Sequence, residues 1–392
     1  MSPPPPARHL KTRIAVELLV ALVGLSILYW AWRADLRWCE KHLLLWYWAF
    51  DDKQVTIAHR WRVAGVILGL FVLLIVRPLA GRWAVKQTPS EAAGSAFRIG
   101  LAVVMSVVAS EVALRILKLP KGESTGNLIQ VRIGEKDLRH GWLYRPSQST
   151  VIESGGRSIE YAIDADRNRA PSVGWTPDLS RPTLIFVGES VTIGHGLTWD
   201  ETYPAVVGKA LDLQVVNLAV HGYGADQAFL RLVDELPKYQ HPVAVVSFFI
   251  PAVIERLSRY DHPHIVFDGL EPRVVQTDGM WDQLRIFQLG RLMVEYHTDV
   301  AFDLCAQIFR ETARRANERG AKALFVAPAI GYAPPRGDRY LLDGLFKDQG
   351  LAYVDAEIGF EPQPGDWHPN AHATHVLADA VVAALRTEIA RR

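Results

Sequence analysis

The chain has 392 residues, with 43 basic against 42 acidic side chains. Near-neutral charge gives no electrostatic footprint for nucleic acid, and the length is enough for a sizeable core and more than one domain. The only two cysteines, Cys39 and Cys305, lie in regions that read as different domains, which argues against a disulfide framework and leaves no CxxC or zinc-type spacing.

The chain begins with a proline-rich leader, Pro3 to Pro6, followed by Arg8, Lys11 and Arg13. Ile14 to Trp32 is then 19 residues long with one charge, Glu17. At about 1.5 Å per helical residue that spans a bilayer core. Tyr29, Trp30 and Trp32 end it as an aromatic belt, and no small-residue cleavage site succeeds it. Val63 to Val76 is a second apolar run, with Pro78 to Gly81 completing the span; Ile99 to Ser110, continuing to Leu119, is a third. Glu111 and Arg115 are spaced to pair on one helix face. His42 to Phe50 is too short to span and reads as interfacial. Residues 1–120 are thus expected to be a membrane region with about three transmembrane helices. Basic residues before the first span and between the second and third place the large C-terminal part of the chain outside the cytoplasm. Two spans would instead place it inside.

Residues 121–180 read as a linker, polar at Lys121 to Gly126, and a small extension. In it Arg157 to Ile163 alternates like a strand and Arg167 to Ser180 reads as a loop. From 181 to 392 short apolar runs alternate with helical stretches. Strands are expected at Thr183–Val187, Gln214–Leu218, Ala244–Phe249, Ala323–Ala327 and Ala352–Asp355. Helices are expected at Tyr203–Leu211, Ala225–Leu236, Leu304–Arg319 and Thr374–Ala390. This is the pattern of a three-layer α/β/α fold around a parallel sheet. An insertion at about 257–300 interrupts it, with a hairpin from His264 to Gln276 and a helix after it, placed to cap the site.

The first of these strands runs into Gly188-Glu189-Ser190, then Thr192, Gly194 and Gly196. A buried strand that ends in glycine and serine presents the serine at the sheet's carboxyl edge, where doubly wound sheets keep their sites. Ser190 is the candidate nucleophile; the plainer alternative is a helix N-cap. A serine needs a base and a group to orient that base. Asp366-Trp367-His368-Pro369-Asn370, after the fifth strand, supplies both as His368 and Asp366. The amides of Ser190 and Gly222 suit an oxyanion. Glu189, Asn217 and His221 are candidate substrate contacts, and His195 flanks the same pocket. Arg256 and Arg259 read either as anion binders or as a solvated helix face. A metal cluster of Asp366, His368, His372 and His375 is a competing reading, although Pro369 breaks the helix between them. The glycines lack Walker spacing, and Thr192 stands where Gly-x-Ser-x-Gly needs its last glycine.

Gly188-Glu189-Ser190 with Thr192, Gly194 and Gly196 resembles the first block of the SGNH/GDSL hydrolases. Asn217 and Gly222, then Tyr223 to Gln227, resemble the second block, and Asp366 to Asn370 the last. His140-Gly141-Trp142 and Pro146 are similar to membrane-anchored bacterial members. The resemblance covers about residues 140–390 and implies a flavodoxin-like parallel sheet. It also implies a serine esterase or O-acyltransferase that uses no metal or organic cofactor. Its partners would be the bilayer and an acylated envelope glycan or small acyl donor, with O-acetyl groups the expected ester. Its location would be the bacterial inner membrane with the catalytic domain extracytoplasmic. The sequence departs from the pattern twice. Glu189 replaces the usual aspartate, and Phe249 to Arg256 lacks the third block's asparagine, an oxyanion donor. A catalytically inactive binding or assembly subunit, and a cytoplasm-facing lipid hydrolase, are the alternative readings.

Overall fold

A computed structural model describes residues 7–34, 52–116, 132–250, 252–257, 262–276, 281, 283–288, 298–328, 341–356, 361–364, 366 and 368–390. The expected interfacial stretch at 42–50, the polar linker at 121–126 and Arg259 lie outside the described residues. The chain divides into two compact units, Met1–Leu117 and Lys118–Arg392.

The first unit is helical: α1 (Ala7–Arg33), α2 (Asp52–Phe71), α3 (Arg77–Val85) and α4 (Pro89–Ile116). A π-helical turn, Val72–Val76, joins α2 to α3, so the second helix runs on through Pro78. Three stretches are long and apolar enough to cross a membrane: Leu10–Arg33, His59–Val85 and Ala93–Ile116. Leu18, Leu22, Ile67, Leu74, Val104 and Val108 stand exposed on them. Apolar surface this continuous suits lipid rather than water. Small residues bring α1 and α2 together. A Cβ on Gly69 would meet Leu28 at 2.7 Å, and one on Gly65 would meet Ala31 at 3.0 Å. Arg115 reaches Glu111 at 2.7 Å, as their spacing predicts.

The second unit opens with β1 (Gly134–Asp137) and β2 (Gly141–Tyr144), a separate antiparallel pair. Next come β3 (Gln148–Ser154), β4 (Arg157–Ile163), β5 (Arg169–Ala170), β6 (Thr183–Val187), α5 (Ser190–Ile193), α6 (Tyr203–Leu211), β7 (Gln214–Asn217), α7 (Ala225–Glu235), β8 (Pro242–Phe248) and α8 (Ala252–Arg256). The chain then forms the hairpin β9 (His264–Asp268) and β10 (Glu271–Val275). It ends with α9 (Thr298–Glu318), β11 (Lys322–Pro328), β12 (Tyr353–Ala356) and α10 (Ala371–Ala390).

The main sheet has the order β12-β11-β8-β6-β7-β5-β4-β3. Numbered by chain order, its parallel part reads 2-1-3-4-5, the flavodoxin-like winding. All five residues of β6 are buried, which is why it reads as an unbroken apolar run. Helices α6 and α10 pack together, as do α7 and α9, and the two pairs cover the sheet. The winding reverses at β6, so the crevice at its carboxyl end opens beside Ser190.

One expectation needs correcting. The stretch from Arg167 to Ser180 is not wholly loop, because Arg169 and Ala170 form β5, which links the antiparallel edge to β7. The extension is therefore continuous with the main sheet. Arg169 is fully buried and explains the strand's position. Its guanidinium donates to the carbonyls of Ile193 at 2.5 Å, Gly194 at 2.7 Å and Leu197 at 2.6 Å, and lies 4.0 Å over the Tyr161 ring. It thereby holds the loop after Ser190. Arg169→Met would strand three buried carbonyls. We expect a loss of about 3 kcal/mol, read as a lower melting temperature of the detergent-solubilised chain by near-ultraviolet circular dichroism. An unchanged melting temperature would refute this role.

Candidate active site

Gly188 follows β6 at a point where only glycine fits. A Cβ there would come within 2.9 Å of the Phe248 Cβ. Glu189 caps α5, its carboxylate accepting from the Val191 amide at 2.9 Å. Ser190 is the first residue of that helix, and Gly194 closes it in the left-handed region at φ 78°. The Ser190 Oγ is thus fixed between a strand end and a helix start.

His368 arrives from the segment before α10. Its Nε2 lies 2.8 Å from Ser190 Oγ, and its Nδ1 lies 2.7 Å from Asp366 Oδ1. The Asp366 carboxylate also accepts from the His368 amide at 3.2 Å. The short turn from 366 to 368 therefore folds the acid back onto its own histidine. Asp366 is held well below the ordinary carboxylate range, first by the hydrogen bond from His368 and then by the charges of His368 and His195.

The second oxygen of Asp366 faces another imidazole. His195 Nε2 stands 3.0 Å from Asp366 Oδ2, and its ring lies against that of His368 with centroids 4.1 Å apart. His195 Nδ1 meets His221 Nε2 at 2.9 Å, and His221 Nδ1 meets the Tyr144 hydroxyl at 2.5 Å. The His221 amide donates to that same hydroxyl at 3.1 Å. With its oxygen accepting there, Tyr144 gives its proton to His221 Nδ1. Then His221 donates to His195, and His195 to Asp366. The whole chain is consistent with two neutral imidazoles. Burial pushes His195 down to about 4, helped by His368, and pushes His221 well below its ordinary value, helped by His195 and His368. Burial also raises the Tyr144 hydroxyl, so it stays protonated.

The other expected contacts fall out differently. Glu189, Asn217 and His221 are 0%, 0% and 1% exposed. Asn217 gives its amide to the Thr192 carbonyl at 2.8 Å and accepts from Ala219 at 3.2 Å. It braces the loop and does not face a substrate, nor does it stand in for the absent oxyanion asparagine. His221 is covered by β2: Tyr144 binds its ring, and the Trp142 indole donates to its carbonyl at 3.0 Å. Glu189 is enclosed with Arg256, whose guanidinium lies 3.4 Å from it and donates to the Tyr223 carbonyl at 2.8 Å. The Ser190 hydroxyl also lies against the Glu189 carboxylate, so its one proton is shared between that oxygen and His368 Nε2. Burial would raise the Glu189 carboxyl, but Arg256, Ser190 and His368 outweigh it and hold it ionised. Arg256 is thus a buried partner of Glu189, neither a solvated cation nor an open anion site. Gly222, at φ 76°, takes a backbone conformation that a side chain would strain. Among the described residues, neither the Ser190 nor the Gly222 amide has a protein acceptor.

His372 and His375 stand exposed on α10, and neither joins a cluster of metal-ligating groups among the described residues. The link from His195 to Asp366 was not legible beforehand. Its only sequence signal was a histidine lodged between Gly194 and Gly196, one turn beyond the serine.

Ser190, His368 and Asp366 thus form a serine–histidine–aspartate hydrogen-bond run. No protein-family model and no curated protein sequence matches the chain. Several solved structures are similar to it. The crystal structure of TesA is 19% identical, covering 52% of this chain and 98% of its own, with a TM-score of 0.36. A member of the lipolytic protein G-D-S-L family from Veillonella parvula DSM 2008 is 9% identical, covering 51% and 96%, with a TM-score of 0.32. A family two carbohydrate esterase from Cellvibrio japonicus is 15% identical, covering 57% and 64%, with a TM-score of 0.32. These are likenesses only; the chemistry of the site comes from its own residues and distances.

The imidazole chain predicts a pH dependence. His195 is lowered from 6.5 to about 4 on folding, so between those values the unfolded chain binds the extra proton. The contribution of a neutral His195 is therefore complete above that window and is lost as pH falls through it. The melting temperature of the solubilised chain should drop from pH 6.5 toward pH 4. His195→Gln should flatten that drop, and an unaltered slope in the variant would count against the assignment.

Proposed function

We propose that the chain is a membrane-anchored serine esterase or O-acyltransferase that works through an acyl-enzyme at Ser190. The observation that carries this reading is the run of contacts from Ser190 Oγ through His368 to Asp366, at 2.8 and 2.7 Å. Ser190 attacks an ester carbonyl as His368 Nε2 takes its proton. Asp366 holds the imidazole in the tautomer that leaves Nε2 bare and then stabilises the imidazolium. His195 and His221 position Asp366 from its other oxygen. The Ser190 and Gly222 amides receive the developing oxyanion. Collapse of the tetrahedral intermediate expels the alcohol with the proton from His368. Water or a sugar hydroxyl then attacks the acyl-enzyme, with His368 again as base.

The substrate we favour is an O-acetylated glycan of the cell envelope. The family resemblance and the distribution of basic residues around the apolar helices support it. In this reading the helices lie in the bacterial inner membrane and the catalytic unit faces away from the cytoplasm. Alkaline phosphatase fused after the last residue should then be active; activity only of a cytoplasmic reporter would overturn the topology.

A second reading, a catalytically silent binding subunit, has one observation in its favour. The segment from Phe249 to Arg256 carries no asparagine where the third block has its oxyanion donor. One such donor is worth about 2.7–4 kcal/mol of transition-state stabilisation. Hydrolysis of p-nitrophenyl acetate by the full chain separates the readings. Ser190→Ala should lower kcat by about 10⁴-fold or more, and His195→Ala by about 10- to 100-fold. A fluorophosphonate should label Ser190 in the parent chain. Folded protein that neither turns over nor labels would favour the binding role.

A further inference from the structure

A second group of ligating side chains lies apart from the serine and its partners. Asp226 is the second residue of α7, and its Oδ1 accepts from the Gln227 amide at 2.9 Å. Its Oδ2 faces two histidines of the insertion. His262 Nε2 stands 3.4 Å away and His264 Nδ1 3.8 Å away. The side chains of Asp226 and His262 are each 1% exposed and that of His264 12% exposed. All three donor atoms lie within 4.8 Å of one another.

These spacings exceed the usual hydrogen-bond range of about 2.7–3.2 Å. They approach the roughly 3.4 Å that separates two donors bound at about 2.1 Å to one tetrahedral ion. The donors are also held in place. His262 packs so closely on the 140–142 segment that a Cβ on Gly141 would come within 2.7 Å of the His262 Cβ. Its ring sits edge-on to Trp142, with centroids 5.9 Å apart. His264 begins β9, and the Gln227 amide fixes the Asp226 carboxylate. A buried carboxylate needs compensating positive charge, and a dication held by the carboxylate and two imidazole nitrogens supplies it.

We infer that Asp226, His262 and His264 bind one divalent transition-metal ion, with zinc the best match to two imidazoles and a carboxylate. Its enclosure makes it a structural ion. It fastens the start of the β9–β10 hairpin to the first turn of α7, just after the loop that carries Gly222. The site does not depend on the esterase reading, and it is tested without an activity assay.

The full chain in detergent is dialysed against zinc chloride, freed of excess metal and assayed for zinc by mass spectrometry. One zinc per chain is expected. Asp226→Asn, which keeps the shape of the side chain, and His264→Ala should each hold at least about tenfold less. His368→Ala, which alters the other three-residue cluster of ligating groups, should keep its zinc. A picolinate-type chelator should lower the melting temperature of the parent chain, and added zinc should restore it. In Asp226→Asn, checked for folding by circular dichroism, the chelator should have no effect. A folded parent chain without stoichiometric zinc, or zinc retained in Asp226→Asn and lost in His368→Ala, would overturn the assignment.

Discussion

Both oxygens of Asp366 are held by imidazoles, His368 on one side and His195 on the other. That double grip is the constraint on which the rest of the site depends. A carboxylate free to rotate would leave His368 to choose its tautomer. Held from behind, it fixes the proton on Nδ1 and leaves Nε2 to accept from Ser190. The link from His195 on to His221 works only while His195 is a donor at Nε2 and an acceptor at Nδ1, which means a neutral ring. Burial keeps it neutral, and His221 feeds it a proton from the far side. The line ends at Tyr144 on β2, outside the parallel sheet. The small β-rich segment before the sheet is therefore tied by hydrogen bonds into the site around Ser190.

That dependence explains the packing of the 140–144 segment. The Trp142 indole binds the His221 carbonyl, and Tyr223 donates to the Trp142 carbonyl at 2.5 Å. Gln227 donates to the His140 carbonyl at 2.7 Å. The His140 ring sits between Asp137 at 2.9 Å and Asp234 at 3.0 Å. All of these except the local His140–Asp137 contact tie the 140–142 segment to the loop between β7 and α7 or to α7 itself. The loop that presents the Gly222 amide is held by this upstream segment as well as by the sheet.

The parallel sheet was legible because its strands are short, apolar and separated by amphipathic helices. The α6 boundaries, Tyr203 and Leu211, are set by Pro204 near the start and the end of the apolar face. Ser190, His368 and Asp366 were legible because chain order and the edge rule place all three beside one strand end. β5 was not. It has two residues and pairs with β7 at a single position, Arg169 with Asn217, so no periodicity marks it. Its Arg169 reads as solvated until the carbonyls it serves are known. Asn217 and His221 look like ligand contacts because they are polar at a strand's carboxyl end. Their burial depends on Tyr144, Trp142 and Thr192, which come from elsewhere in the chain. Sequence spacing carries no trace of such long-range cover.

The two departures from the SGNH pattern are one physical feature. Glu189 caps α5 with its carboxylate, the N-cap role that an aspartate commonly takes. The extra methylene of Glu189 carries its carboxylate on to both Ser190 and Arg256. Fully buried, that charge needs a cation. Arg256 supplies it from the segment after β8, where the family pattern has an asparagine. The guanidinium is anchored in turn on the Tyr223 carbonyl, so it is directed at Glu189 and not at the oxyanion position. The Glu189–Arg256 ion pair thus lies directly beside Ser190. Among the described residues, the Ser190 and Gly222 amides keep no protein acceptor. Beside them, Asp366 is balanced by imidazoles and Glu189 by Arg256. The site thus holds two ionised carboxylates near one serine, and its tolerance of a developing negative charge depends on keeping both of them paired.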